Sequence, residues 1–256
     1  MNDSVPPMPN VFQYPDSLGV RSDLVSAYDS AWAQIASIGE GWSAAERIAI
    51  AQEARLAWGC DLCETRKKAL SPNSVQGEHV SETSLPTAAL DAVHRIVTDA
   101  SRITRAVLDR FNDSGLTDAQ YVELLGVVVA LISIDEFHLA MGLPLAELPA
   151  AGDDRPPPAY VPNGARNHGA FVASIAPRDL TEPEADLYGG APQMGNVFMA
   201  MSLAPSAVRL LSTLGFAQYL KPSDVANPAA NGGRAINRMQ MELIAARVSN
   251  HNDCFY

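Results

Sequence analysis

What the chain lacks sets the first bounds on it. Its 256 residues hold 18 lysines and arginines against 29 aspartates and glutamates, a formal net charge of −11, and the only basic cluster is Arg66-Lys67-Lys68. A surface so short of positive charge attracts neither nucleic acid nor an anionic membrane face, and neither is expected as a partner. No apolar run comes near the roughly 20 residues of a membrane-spanning helix; the longest, 124–134, is about half that. Residues 1–18 are polar and proline-rich, without a basic stretch leading into an apolar one, so nothing marks secretion and a cytoplasmic location is expected. Three cysteines are too few for a disulfide framework. No segment alternates apolar and polar residues in the manner of a strand.

Helical periodicity runs through most of what is present. Residues 22–38 place Leu24, Ala27, Ala31, Ile35 and Ile38 at three- and four-residue steps, with Trp32 beside them. Ser43-Ala44-Ala45-Glu46 has the form of a capping box, in which hydroxyl and carboxylate satisfy each other's backbone N–H, and it predicts a helix over 44–58 closed by Gly59. Residues 61–70 begin acidic and end basic, which suits a helix dipole. One or two helices fit 86–111. Thr117-Asp118-Ala119-Gln120 is a second capping box, opening a helix through Met141 that Gly142 and Pro144 stop. The centre of that helix is apolar on nearly every face, which places it in the middle of a bundle or beneath an oligomer interface.

From 148 to 188 the pattern fails. Pro149, Gly152, Pro156, Pro157, Pro158, Pro162 and Gly164 forbid regular helix, and the stretch reads as a linker or a long wrapping loop. Helical pattern returns at 196–203, 205–219 and 234–250. The chain thus divides into a flexible N-terminal segment (1–20), a helical unit (21–147), the proline-rich stretch (148–188) and a second helical segment (189–256).

The chemistry centres on Trp58-Gly59-Cys60-Asp61-Leu62-Cys63, where one helix hands over to the next. A sulfur at a helix N-terminus faces unpaired backbone N–H groups and the positive end of the dipole, which favour a thiolate. Cys63, one turn on, can close a disulfide with Cys60. Attack by a thiolate on a peroxide O–O bond gives a sulfenic acid, and a neighbouring thiol condenses with it. Asp61 and Glu64 oppose the thiolate; Arg66 and Lys67 favour it. Zinc is an alternative, since Cys60, Cys63, His79 and His94 offer two sulfur and two nitrogen ligands. Their separations, 79 − 63 = 16 and 94 − 79 = 15, differ from the short histidine pair of a zinc finger, and neither metal nor other cofactor is expected. A third reading is two inert buried thiols. A thioredoxin-type motif is excluded, because no strand precedes Cys60.

The helix-then-cysteine pattern has an echo. Ile244-Ala245 begins ten residues before Cys254, as Ile50-Ala51 begins ten before Cys60, and each helix carries an arginine, Arg247 and Arg55. The second segment reads as a partial copy of the first.

The run Glu46-Arg47-Ile48-Ala49-Ile50-Ala51 leading into Cys60-Asp61-Leu62-Cys63, and Gln240 to Ser249 leading into Asn252-Asp253-Cys254-Phe255-Tyr256, resemble the alkylhydroperoxidase D-like / carboxymuconolactone decarboxylase superfamily. So does the long apolar helix that ends at Gly142-Leu143-Pro144-Leu145. The resemblance implies an all-α, oligomeric bundle and, in its peroxidase branch, a C-x-x-C dithiol working without a bound cofactor. In that branch a glutamate twelve residues before the first cysteine and a histidine four after the second relay protons to the second cysteine, which attacks peroxide. Glu242 stands in the glutamate's place before Cys254, and the second cysteine would fall at position 257. In the first unit both cysteines are present, but Ile48 and Lys67 occupy the relay positions.

The expected protein is therefore an all-α helical bundle of the alkylhydroperoxidase D-like type, with a partial second copy of the helix-then-cysteine unit at its C-terminus. It is expected to be a thiol-dependent peroxidase or disulfide oxidoreductase reducing alkyl hydroperoxides through Cys60 and Cys63. Glu53, Glu64, His94 and His138 are the candidate replacements for the missing relay, and Glu242 and Cys254 the candidates in the second segment. A peroxide or other small substrate, a thiol reductant or redox protein, and a second copy of the chain are the expected partners. Acid/base chemistry of the decarboxylase type and a non-catalytic, ligand-binding role are the alternatives.

Overall fold

The computed structural model describes residues 11–152, 155–225, 227–252 and 254. They form helices α1 (Ser22–Ile35), α2 (Ala44–Ala57), α3 (Asp61–Lys68), α4 (Thr87–Asp99), α5 (Arg105–Asp113), α6 (Asp118–Ala140), α7 (Asn196–Met199), α8 (Pro205–Gln218), α9 (Pro222–Val225) and α10 (Arg238–His251). Among the described residues there is no strand, only an isolated bridge between Arg166 and Ser174, so the expected all-α architecture holds. No helix among them is long and apolar enough to cross a membrane.

Both expected capping boxes form. Ser43 N–H donates to Glu46 Oε2 at 2.8 Å and Glu46 N–H to Ser43 Oγ at 3.3 Å, which starts α2. Thr117 and Gln120 make the same reciprocal pair at the start of α6, and a third, Asn237 with Gln240, starts α10. α1 ends three residues earlier than its apolar spacing predicts. The chain must turn at Gly39, where a Cβ would lie 1.6 Å from Glu123 Oε1.

α6 is the axis of the molecule. Its Leu124, Val127, Val128, Leu131 and Ile134 are at most 1% exposed, and each such side chain contributes about 1.5–3 kcal/mol by leaving water. It packs against α2, α4 and α8, and α8 packs in turn against α1. The apolar stretch 124–134 therefore lies in the middle of a bundle. A buried ion pair, Arg47 with Glu123, ties α2 to α6; Gly41 N–H also donates to Glu123, at 2.6 Å.

One segment differs from the sequence reading. Residues 1–10 of the segment read as flexible lie outside the described residues, but 11–20 are anchored. The Val11 and Phe12 amides donate to Asp29 Oδ1, and the Phe12 ring packs edge-on to Trp32 with centroids 5.1 Å apart. Within the second helical segment, α8 lies against both α1 and α6 and supplies Val208, Leu210 and Leu214 to the common core. α10 is the exception: only Met241 is buried, and Leu243, Ile244 and Val248 are each more than half exposed.

The described residues of the stretch 148–188 wrap the bundle instead of linking two bodies. Gly152 N–H donates to Ala36 O at 2.9 Å, Tyr160 N–H to Glu40 O at 3.2 Å, and Ile175 N–H to Ser202 Oγ at 2.7 Å. With its prolines unable to donate, the segment satisfies its polar groups against the bundle surface.

Candidate functional site

Three consecutive pieces of chain build one corner of the bundle: the end of α2, the start of α3, and α4, with the loop 69–86 laid across them. α2 stops at Ala57, Gly59 turns the chain, and Cys60 takes the extended conformation (φ −82°, ψ 115°) of the residue that precedes α3. Cys63 follows one turn later. The sulfurs thus stand at a helix N-terminus, as the spacing predicts. The pair lies 3.6 Å apart, unbonded, and both residues are buried, at 6% and 3% exposure.

Each sulfur meets an imidazole. Cys60 Sγ is 3.4 Å from His79 Nδ1, and Cys63 Sγ is 3.2 Å from His94 Nδ1 and 3.7 Å from His79 Nδ1. The two rings lie against each other with centroids 3.9 Å apart. Each imidazole turns its other nitrogen to a carboxylate: His94 Nε2 is 2.8 Å from Glu53 Oε1, and His79 Nε2 is 2.9 Å from Asp91 Oδ1. Those carboxylates are held in turn. Ser81 and Thr83 hydroxyls donate to Glu53 Oε2 at 2.7 and 2.8 Å, while Arg66 and Arg95 donate to Asp91.

Helical spacing explains half of this arrangement. Asp91, His94 and Arg95 share the α4 face turned to α3, and Glu53 lies near the end of α2, which packs on α4. The loop supplies the rest. Leu70 and Val80 point to solvent, Pro72 and Leu85 are buried towards its two ends, and between them it is fastened through His79, Ser81 and Thr83.

The electrostatics of the cluster act on Cys60 and on the two imidazole–carboxylate pairs. Burial pushes the Cys60 thiol up, but hydrogen bonds from His79 and from the amide and thiol of Cys63 outweigh it and bring its pKa below the usual thiol value. Burial alone would lower His79; its bonds to Asp91 and to both sulfurs push it up to about 10. Burial would raise Asp91, but His79, Arg95 and Arg66 hold its carboxyl well below the usual range. His94 goes the other way: burial and the nearby His79 lower it and outweigh its bond to Glu53, which acts to raise it. With Nε2–H donated to Glu53, the His94 Nδ1 lone pair is free to accept a proton from Cys63.

The other sequence candidates lie elsewhere. His138 is buried at the far end of α6, with Nε2 2.8 Å from the Tyr14 hydroxyl and Nδ1 2.6 Å from Pro144 O, and takes no part in the cysteine cluster. Glu64 is exposed and paired with Lys68. Glu242 is bonded to Tyr219 and Arg238 on the surface of α10, and Cys254 is an exposed free thiol. Of the residues that resemble a second redox unit, Asp253, Phe255 and Tyr256 lie outside the described residues. Lys67, offered as a thiolate stabiliser, is exposed; Arg66 acts through Asp91.

Sequence reasoning brought Glu53 and His94 forward separately and left out Asp91, Ser81 and Thr83. The three-residue step from Asp91 to His94 was a usable signal. Nothing local marks Ser81 and Thr83. The clearest surface hollows among the described residues lie away from the sulfurs, one beside Val129, Ser133 and Leu211 and one beside Tyr160 and Arg209. The cysteine site itself is a closed cluster beneath the 69–86 loop. Comparison with protein-family models, with characterised proteins and with solved structures finds no match for this chain.

Proposed function

We propose that the chain is a dithiol oxidoreductase that reduces small hydroperoxides in a reducing, cytoplasmic compartment, as its resemblance to the alkylhydroperoxidase D-like superfamily implies. The observation that carries the reading is the approach of Cys60 and Cys63 to 3.6 Å with a separate imidazole–carboxylate pair behind each sulfur. His79 with Asp91, and His94 with Glu53, stand where the family's single glutamate–histidine relay is missing from the sequence.

The two pairs suit two different steps. Cys60, as thiolate beside the His79 imidazolium, attacks the outer oxygen of the hydroperoxide; the S–O bond forms, the O–O bond breaks, and the leaving alkoxide takes the proton held at His79 Nδ1. Cys63 then loses its proton to His94 Nδ1 and attacks the Cys60 sulfenic acid. The S–S bond forms, and the departing hydroxide takes a proton to leave as water. Dithiol and hydroperoxide thus give disulfide, alcohol and water, and a second thiol couple restores the dithiol. This assigns the attack to the first cysteine, where the family uses the second.

The test is a thiol count on reduced protein with a chelator present. One equivalent of hydrogen peroxide should remove two of the three thiols, and peptide mapping should find Cys60 joined to Cys63. Cys60→Ser should abolish peroxide consumption, and Cys63→Ser should stop at a sulfenic acid trapped by a dione reagent. An unchanged thiol count, or Cys60→Ser protein that consumes peroxide as the parent does, overturns the proposal.

A further inference from the structure

The geometry points to Cys60, Cys63, His79 and His94 as the ligands of one thiophilic divalent cation of the zinc type, released when a hydroperoxide oxidises the sulfurs. The binding half stands independently of the redox reading; the release half rests on it.

The donor set is the first argument. Two sulfurs and two imidazole nitrogens lie within 4.8 Å of one another. A tetrahedral S2N2 zinc centre, with bonds of about 2.3 Å to sulfur and about 2.0–2.1 Å to nitrogen, sets its donors roughly 3.3–3.8 Å apart. Four contacts here measure 3.2, 3.4, 3.6 and 3.7 Å. Closing the shell requires the widest gap, which reaches at most 4.8 Å, to contract by about 1 Å.

The orientation of the imidazoles is a second and independent argument. Both turn Nδ1 to the sulfurs and Nε2 to a carboxylate, Glu53 for one and Asp91 for the other. Metal-bound histidines characteristically make this outer contact, which fixes the tautomer and raises the basicity of the ligating nitrogen. The Ser81 and Thr83 bonds to Glu53 extend the support by a further layer.

The third argument is the loop. Pro72 and Leu85 anchor the two ends of the loop by burial, but between them Val80 is exposed, so burial does little to order residues 73–84. A cation bridging His79 on the loop to Cys60 and Cys63 at α3 and to His94 on α4 would fasten the loop to both helices, as structural zinc does in small domains. The closed character of the site agrees, because structural centres leave no open ligand position. The separations of 16 and 15 residues are no obstacle, since the histidines come from a loop and a helix that the fold brings together.

Bound in this way, the cation holds both sulfurs as thiolates. Oxidation by a hydroperoxide takes two electrons from them: two thiolates, one hydroperoxide and two protons give the disulfide, an alcohol and water, and the cation leaves because its two sulfur ligands are gone.

Full-length protein stripped of metal is titrated with zinc against a chromophoric chelator, and in parallel with cobalt(II). One equivalent of zinc should bind, and cobalt should give the intense visible bands and sulfur-to-metal charge transfer of a tetrahedral, thiolate-ligated centre. Cys254→Ser should keep that equivalent; Asp91→Asn should weaken it about 10–100-fold. Peroxide added to the zinc-loaded protein should free the ion to the dye. No stoichiometric binding, a weak octahedral cobalt spectrum, or loss of the site in Cys254→Ser overturns the metal site, and retention of zinc after peroxide overturns its release. Peroxide consumption by the metal-free protein is scored separately: its failure overturns the redox reading and with it the release of the ion, but not the binding of the metal, and failure to bind metal leaves the redox reading standing.

Discussion

Glu53 and His94, 94 − 53 = 41 residues apart in the chain, meet at 2.8 Å with neither side chain exposed to solvent. A buried carboxylate is costly unless its oxygens are bonded, and here Ser81 and Thr83 satisfy the second oxygen while His94 takes the first. The pair therefore does two things. It pins α2 to α4, and it orients the imidazole that faces Cys63.

Replacing Glu53 separates these roles. Glu53→Gln keeps an oxygen to accept from His94 and should cost about 1–2 kcal/mol of stability, whereas Glu53→Ala leaves His94, Ser81 and Thr83 without their acceptor and should cost about 3 kcal/mol or more. General-base assistance supplies roughly 10²–10⁴-fold, so Glu53→Gln should slow disulfide closure by about tenfold while leaving sulfenic acid formation at Cys60 intact. Urea unfolding reads the first effect and stopped-flow trapping of the sulfenic acid the second. Equal slowing of both steps would mean that Glu53 acts on the site only through its fold.

How far this site was legible depends on the range of the interactions. The capping residues Ser43 and Thr117 and the apolar run at 124–134 act within a turn or two of helix, and each gave its element correctly. Cys60 at the start of α3 was legible for the same reason. His79 was named as a possible metal ligand with Cys60, Cys63 and His94, but its bond to Asp91 and its place beside the sulfurs depend on how the loop crosses α3 and α4, which no local spacing encodes. Phe12 was read as part of a flexible segment: one aromatic among prolines has no periodicity, and only Trp32 and Asp29 reveal its place. The helix expected over 196–203 ends at Met199, since Ser202 Oγ donates to Met199 O and accepts from Ile175 of the wrapping segment. α10 shows the opposite limit. Its helical pattern was legible and so was Glu242, yet Glu242 points to Tyr219 and Arg238, away from the buried dithiol.

Gly126 sets the distance between α6 and α8. A Cβ there would lie 2.6 Å from the Ala207 Cβ and 3.1 Å from its Cα. On helix propensity alone Gly126→Ala should gain about 1 kcal/mol. Overpacking at this crossing opposes that with about 1–3 kcal/mol, because backbone as well as side chain is in the way, and net destabilisation is expected. Ala207→Gly in the same chain should recover part of the loss. A double-mutant cycle followed by urea unfolding measures the coupling, and strict additivity would show that the two helices adjust independently.

His138 provides the control that separates packing from chemistry. Its ring bridges the Tyr14 hydroxyl and the Pro144 carbonyl and lies edge-on to Phe12 with centroids 5.7 Å apart, so it joins the N-terminal strap to the end of α6. None of its partners belongs to the cysteine cluster. His138→Phe retains the ring area but drops both hydrogen bonds, leaving a half-buried hydroxyl and a carbonyl to find water, at a cost of about 1–3 kcal/mol. The strap at residues 11–20 should then become more susceptible to protease, while the number of thiols lost per peroxide stays as in the parent. Limited proteolysis and the thiol count on the same sample decide it: a change in thiol chemistry without loosening of the strap would place His138 in the reaction after all.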